Sequence, residues 1–403
     1  MKLTIERLGH LGDSLANGPD GPLFLKGFLP GEVVEGDDVQ NLRITTASPD
    51  RVRPPCNHAR ACGGCSLQHA SNDFVAKWKS EVVRSALQGQ GIDAHFLPQH
   101  ISPPASRRRA SFSARRSKGG VLIGFHARAS DLLVDIPNCQ LLLPQILAAL
   151  PKLQEVVRLG ATRVAQITLQ VTATASGLDL AVSDGKELDA QSQMALARLC
   201  ESAGLARLTW NGETVAFRHA PMLRIGPALV SPPPGAFLQA TAEGEAALLA
   251  GVRRVLHPAR KVVDLFAGIG TFALPLAQQA EVLAVEGDEK MLAALGQAAR
   301  NAQGLHRVDT QSRDLFRRPL EPDEFKGFDG VVIDPPRAGA EAQMRTLAAS
   351  KVPHIAAVSC NPVTFARDAK ILLAGGYGLD FVQVVDQFRW SHHVELVAGF
   401  SRA

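Results

Sequence analysis

Asp264-Leu265-Phe266-Ala267-Gly268-Ile269-Gly270-Thr271-Phe272-Ala273 reads as the end of a strand, a glycine turn and the start of a helix. Glycines at Gly268 and Gly270 allow a tight bend and let a ligand approach the backbone without meeting a Cβ. Glu286 stands 22 residues beyond Asp264, at the end of the next strand-like run, where a carboxylate can accept both hydroxyls of a ribose. The pattern alone fits nicotinamide, flavin and other nucleotide-bearing cofactors almost equally. Around it, the apolar runs 261–266 (KVVDLF), 281–286 (EVLAVE), 328–334 (FDGVVID) and 354–359 (HIAAVS) alternate with helical stretches. That alternation predicts an α/β fold with a parallel, doubly wound sheet.

Two loops at the ends of these strands carry chemistry. Asp334-Pro335-Pro336-Arg337 terminates the fourth strand, at the carboxyl edge where open α/β sheets bind ligands. Its two prolines lack N–H groups and make a stiff wall for a flat ring, which favours a methyl donor over a nicotinamide. Ser359-Cys360-Asn361-Pro362 leaves the next strand and opens a helix, with Asn361 as N-cap and Pro362 as first helical residue. Cys360 is thereby placed in the ligand crevice, where a helix N-terminus is expected to favour its thiolate. Glu395 is one carboxylate inside the apolar run 394–400 (VELVAGF), read as a final strand. Burial there would raise its pKa and suit it to act as a base, whereas an outward-facing edge position would leave it idle.

Outward from this region, Pro232-Pro233-Pro234 marks a boundary, and residues 91–230 mix strands and helices without a catalytic signature. Within them Arg107, Arg108, Arg109, Arg115, Arg116, Lys118 and Arg128 crowd a predicted ribbon of strands 107–116 and 121–128, interleaved with Phe112 and Phe125. Several guanidiniums on one ribbon suit phosphate, although basic runs are often only solvated faces. Net charge is +4 and the pI about 8.8, which permits an acidic partner without requiring one.

Six cysteines are present. Cys56, Cys62 and Cys65, with the distant Cys139, supply four thiols that suit either an iron–sulfur centre or structural zinc; His58 and His69 could substitute as ligands. Cys200 falls in a helical pattern as a core residue. A Pro-rich hinge at Arg53-Pro54-Pro55 and a helix over about 73–88 flank the cluster. The first 50 or so residues alternate short apolar runs with glycine turns, as in a small β-barrel. No apolar stretch at the start is long enough for a signal peptide, and 141–150 is too short and interrupted by Pro144 to span a bilayer. A cytoplasmic protein without a membrane partner is expected.

Taken together, these motifs resemble the bacterial RNA (uracil-C5)-methyltransferases, in particular the iron–sulfur branch acting on 23S ribosomal RNA. The likeness runs from a TRAM-like, OB-like start (Met1 to about Asp38, with Leu29-Pro30-Gly31-Glu32-Val33-Val34) through Cys56–His69 to SCNP at 359–362 and the final VELVA. It implies a class I, Rossmann-like methyltransferase domain over 231–403, a barrel over 1–52, and an iron–sulfur and RNA-binding region with mixed α+β structure over 53–230. It further implies a [4Fe–4S] cluster on Cys56, Cys62, Cys65 and Cys139. S-adenosylmethionine or its pocket would be contacted by Gln239, Phe266, Glu286, Asp314 and Asp334, alongside the glycine-turn residues Gly268, Gly270 and Thr271. Cys360 matches the nucleophile and Glu395 the base. The family commonly has asparagine where Thr271 stands, and the N-terminal module here is short.

The chemistry explains the thiol. Uracil C5 attacks a sulfonium methyl poorly; thiolate addition at C6 makes an enolate whose charge reaches C5. The expected substrate is a uridine of 23S RNA, with no obligate protein partner. Rival expectations are a transfer-RNA uridine-C5 methyltransferase, an amino-group methyltransferase on the same fold, and a non-catalytic RNA-binding iron–sulfur assembly factor.

Overall fold

The computed structural model describes residues 1–402. Its C-terminal part is an eight-stranded sheet. In spatial order the strands are Val308–Ser312, Glu281–Glu286, Lys261–Leu265, Gly330–Ile333, His354–Ser359, Leu396–Ser401, Gly378–Asp386 and the short His100–Ile101. The first five run parallel; Leu396–Ser401 is antiparallel to both of its neighbours. Strands buried on both faces read as unbroken apolar runs, and Val262, Val263, Leu265, Val331, Val332 and Ile333 have at most 1% exposure. The order of strands reverses between Lys261–Leu265 and Gly330–Ile333, which opens a crevice at their carboxyl ends. Val308–Ser312 is polar at most positions and half exposed, so apolarity could not reveal it as a strand.

The middle of the chain is a seven-stranded sheet, ordered Glu213–Phe217, Leu205–Trp210, Gly177–Ser183, Gln166–Thr174, Arg109–Ser117, Gly120–His126 and Leu133–Asp135. The helices Pro144–Gly160 and Ala190–Ser202 pack on it, and Cys200 is fully buried in their shared core. The basic ribbon is a hairpin, Arg109–Ser117 with Gly120–His126, close to its expected limits.

The N-terminal strands Lys2–Leu8, Ser14–Gly18, Gly21–Leu25, Val33–Glu35 and Arg43–Thr46 form an antiparallel sheet around Leu3, Ile5, Ala16, Leu25 and Val34. The expected OB-like barrel is not closed among the described residues. Gly21–Leu25 and Arg43–Thr46 lie at opposite edges of the sheet, and strands of three to five residues are too short to curl round and meet. Helix Asn72–Gln88 packs on the C-terminal sheet through Val83 and Leu87 and on Leu8 and Leu29 through Val75 and Trp78; it is capped by Ser71, whose side chain accepts from Phe74 N–H. Its Lys79 is fully buried and pairs with Asp386 at 2.6 Å, which ties the helix to the end of a catalytic-sheet strand. No helix among the described residues is long and apolar enough to cross a membrane.

Candidate active site

The strand Lys261–Leu265 ends at Phe266, whose φ of +62° is left-handed, a conformation that costs a non-glycine residue roughly 1–2 kcal/mol. This strain sits at the crevice, and the Phe266 ring lies 5.3 Å from that of Phe316. Gly268 (φ +55°) turns the chain so that its N–H donates to Glu286 Oε2 at 2.9 Å. The other Glu286 oxygen accepts from Asp288 N–H, also at 2.9 Å. Asp314 accepts from the N–H groups of Phe316 and Arg317. Phe266, Gly268, Thr271, Glu286 and Asp314 all line one cavity of about 1000 Å³. Gly270 does not. Its φ is +93°, and a Cβ there would come within 2.9 Å of Leu274 and Leu295 on two different helices, so this glycine lets the turn pack closely against them and is not among the residues facing the cavity.

Asp264, used above only as a spacing marker, is fully buried beneath this turn, and neither carboxylate oxygen has a side-chain partner. Burial pushes its carboxyl well above the usual range against the pull of Ala273 N–H, with smaller help from the Asp334 and Glu286 charges. An acid within an apolar strand was the signal that could have singled it out.

Cys360 sits between His354–Ser359 and helix Pro362–Ala374, as its spacing predicts. Asn361 caps the helix by accepting from Val363 N–H at 3.1 Å, and its amide donates to Arg337 O at 2.9 Å. The turn carrying Cys360 is thus fastened to the loop of Asp334-Pro335-Pro336-Arg337. The expected thiolate stabilisation is not found. Burial, reinforced by the Glu395 and Asp334 charges, pushes the Cys360 thiol up to about 11, and Arg337 opposes this only in part. A helix N-terminus carries about half a charge, too little against two nearby carboxylates and desolvation.

Glu395 immediately precedes the strand Leu396–Ser401, is 3% exposed, and faces the cavity. The outward-facing alternative is therefore wrong. Burial and Asp334 raise its carboxyl; hydrogen bonding by Gln387 and the charge of Arg109 act the other way. Asp334 is raised by its own burial, so the two acids meet in one apolar site where both cannot readily ionise together. Gln239 lies behind the cavity wall rather than on it, and donates to Asp334 Oδ2 at 3.3 Å.

Sequence reasoning missed several lining or supporting groups. Half-exposed Phe237 lies 4.5 Å under the Arg109 guanidinium at the cavity wall. His392 and His393 also line it. His393 faces Arg337 at 3.1 Å, and burial with these neighbouring charges lowers its pKa to about 4, so it is neutral at pH 7. Gln387 is a buried amide between Gln239 and Glu395. None of the four has a diagnostic spacing in sequence.

Cys56, Cys62, Cys65 and Cys139 converge on the same cavity with free thiols. Gly63 lets this segment lie on the ribbon: its N–H donates to His126 O, and a Cβ would be 2.7 Å from that oxygen. No group of three or more His, Cys, Asp or Glu side chains among the described residues is arranged to hold a metal ion. The structure therefore brings the four thiols to one space without forming a ligand cage. His58 lines the same cavity and His69 does not; each has a buried Nε2 that lacks a partner.

Comparison with known proteins bears on the whole chain. The family model described as tRNA (Uracil-5-)-methyltransferase matches residues 232–401. A 23S rRNA (uracil(1939)-C(5))-methyltransferase of Halomonas elongata is 36% identical over 446 residues, covering 98% of this chain and 88% of that protein. The chain belongs to the RNA (uracil-C5)-methyltransferase family. Within the family, a Brucella suis protein described as an uncharacterized RNA methyltransferase is 46% identical across 100% of this chain and 98% of its own. The fold agrees with the crystal structure of Pyrococcus abyssi tRNA (uracil-54, C5)-methyltransferase in complex with S-adenosyl-L-homocysteine. That match has a TM-score of 0.79, covers 99% of each chain and is 22% identical in sequence.

Proposed function

We propose that the protein methylates C5 of a uridine in 23S ribosomal RNA, with S-adenosylmethionine as donor and Cys360 as covalent nucleophile. The observation that carries this reading is the meeting of a thiol, Cys360, and a buried carboxylate, Glu395, in the cavity that also holds the glycine turn and Glu286. An amino-group methyltransferase has no use for that thiol, and a binding-only assembly factor has no use for either group.

Phe266, Gly268, Thr271, Glu286 and Asp314 would hold the donor, with Glu286 free to accept ribose hydroxyls through its remaining lone pairs. When bound, it supplies an electrophilic methyl group. Cys360 Sγ forms a bond to uracil C6, and the electrons of the C5–C6 double bond move to C5 and the adjoining carbonyl. C5 would then take the methyl group as its bond to the donor's sulfonium sulfur breaks, leaving a neutral thioether. Glu395 removes the C5 proton, the C6–S bond breaks, and the double bond returns as the thiolate leaves. Raised pKa values suit both partners to this sequence: a more basic carboxylate accepts a proton, and a more basic thiolate is a strong nucleophile once formed. A stacked uridine cannot meet Sγ, so a loop or flipped-out base is required, at a cost of a few kcal/mol. The ribbon bearing Arg115 and Arg116 would hold flanking phosphates.

Cys56, Cys62, Cys65 and Cys139 would hold a [4Fe–4S] centre in a structural role. Four soft thiol donors near enough to feel one another's charge suit it in kind, although they would have to be drawn together to enclose it, and structural zinc on the same residues is the competing reading. Anaerobic purification distinguishes them: a brown protein with iron and sulfide supports the cluster, and stoichiometric zinc overturns it.

The mechanism is tested with RNA carrying 5-fluorouracil, where fluorine blocks the last deprotonation. A stable protein–RNA adduct at Cys360 is expected; binding of donor and RNA with no adduct would sink the covalent route. Mass-spectrometric mapping of methyluridine in ribosomal and transfer RNA, from cells with and without the protein, decides the substrate. Loss confined to transfer RNA would favour the reading that the family description suggests.

A further inference from the structure

Gln387 follows the last residue of the strand Gly378–Asp386 and is 3% exposed. Its Nε2 donates to Glu395 Oε2 at 2.5 Å and to Gln239 Oε1 at 2.6 Å. Its Oε1 accepts from Ala240 N–H at 2.7 Å and Thr241 N–H at 3.4 Å. Both donors and both lone pairs of the amide are therefore used, and its orientation is fixed. A flipped amide would set N–H against N–H and carbonyl against carboxylate. Gln239 passes the connection on, since its own Nε2 donates to Asp334 Oδ2. On the other side, Asp386 is held by Lys79 and by Phe388 N–H, so the backbone carrying Gln387 is anchored as well. Helix Ala242–Leu256 closes the back: a Cβ on Gly244 would come within 2.7 Å of Gln387 Cβ. Gln387 does not line the cavity and so acts only through its neighbours.

We propose that Gln387 is a positioning residue that aims the Glu395 carboxylate into the cavity and joins it, through Gln239, to Asp334. The proposal rests on Glu395 being the base of the reaction described above. The titratable and charged groups facing Glu395 are Asp334 from the fourth strand, the Cys360 thiol from the fifth, and Arg109 from the central sheet; His393, on its own segment, is neutral. Arg109 and the Gln387 amide are the groups that favour the ionised form, against Asp334 and burial. Removing the amide donor therefore makes the base harder to ionise.

The test is single-turnover methylation by the full-length metal-loaded protein between pH 6 and 10. Gln387→Met keeps an unbranched side chain of similar size without a donor. It is expected to react about ten-fold more slowly at neutral pH, to recover as pH rises, and to leave KM for donor and RNA unchanged. Gln387→Asn, which keeps the amide but draws it back by one methylene, is expected to shift the profile the same way by less, and provides the test if the first variant fails to fold. A rate depressed equally at every pH, or a profile superimposing on the parent, overturns the proposal. Cys360→Ala, assayed alongside, separates the two levels. Methylation that survives it removes the thiol mechanism itself, whereas its loss beside an unshifted Gln387 profile removes only the role of Gln387.

Discussion

At the scale of single residues, the Cys360 thiol is shaped by burial and by the charges of Glu395 and Asp334. The Glu395 carboxylate is one of the groups that raise the Cys360 thiol to about 11. Glu395→Gln should therefore lower that pKa, so that iodoacetamide alkylates Cys360 faster at pH 8 than in the parent. An unchanged rate would show that the two do not interact. The same substitution removes the base, so turnover should fall by about 10²–10⁴-fold while the RNA adduct accumulates without fluorine. In the parent both groups must lose protons from raised pKa values, so kcat/KM should climb through neutral pH into the alkaline range; a profile flat from pH 6 to 9 would contradict this.

Asp264 gives a stability counterpart. Its folded carboxyl is raised above the unfolded value of about 3.9, so the folded state binds the proton more tightly. Its contribution is fully present below that unfolded value and is lost as pH rises through the folded one. Asp264→Asn, which cannot ionise, should consequently gain in thermal midpoint relative to the parent as pH rises from 5 to 9. A difference that does not vary with pH would refute the account.

At the scale of elements, the placement of Cys360, the proposed nucleophile, depends on one helix start. Asn361 caps Pro362–Ala374 and also holds Arg337 O, so a single amide joins two loops of the site. Asn361→Ala should cost about 1 kcal/mol in urea denaturation. It should also slow alkylation-independent steps, seen as a lower adduct-forming rate with fluorinated RNA. An unchanged denaturation midpoint would show that the cap contributes nothing. Element limits were legible where chain chemistry is local: Pro362 after Asn361, and the glycine turn after an apolar strand. The strand Val308–Ser312 was not, because its neighbours in the sheet, rather than its own side chains, make it a strand.

At the scale of the molecule, the helix Asn72–Gln88 is coupled to the catalytic sheet by the buried Lys79–Asp386 pair. Lys79→Met leaves Asp386 buried without its counter-charge and should cost about 3–5 kcal/mol. Lys79→Met combined with Asp386→Leu should recover much of that loss, read as a coupling in denaturation midpoints. Additive effects would mean that the pair is not a unit. Because Asp386 precedes Gln387, the same pair also steadies the segment behind the base.

Sequence by itself determined the α/β alternation, the glycine turn, the place of Cys360 between a strand and a helix, and the single carboxylate of Glu395 beside the last strand. Each is written in consecutive residues, and strand ends place them on one edge of the sheet. Only the tertiary structure decided that Glu395 points inward, that Gly270 packs instead of facing the cavity, that the N-terminal sheet stays open, and that the Cys360 thiol is raised. Those outcomes depend on groups up to hundreds of residues apart sharing one low-dielectric space, and the strength of a charge interaction is set by that spatial surrounding, not by order along the chain.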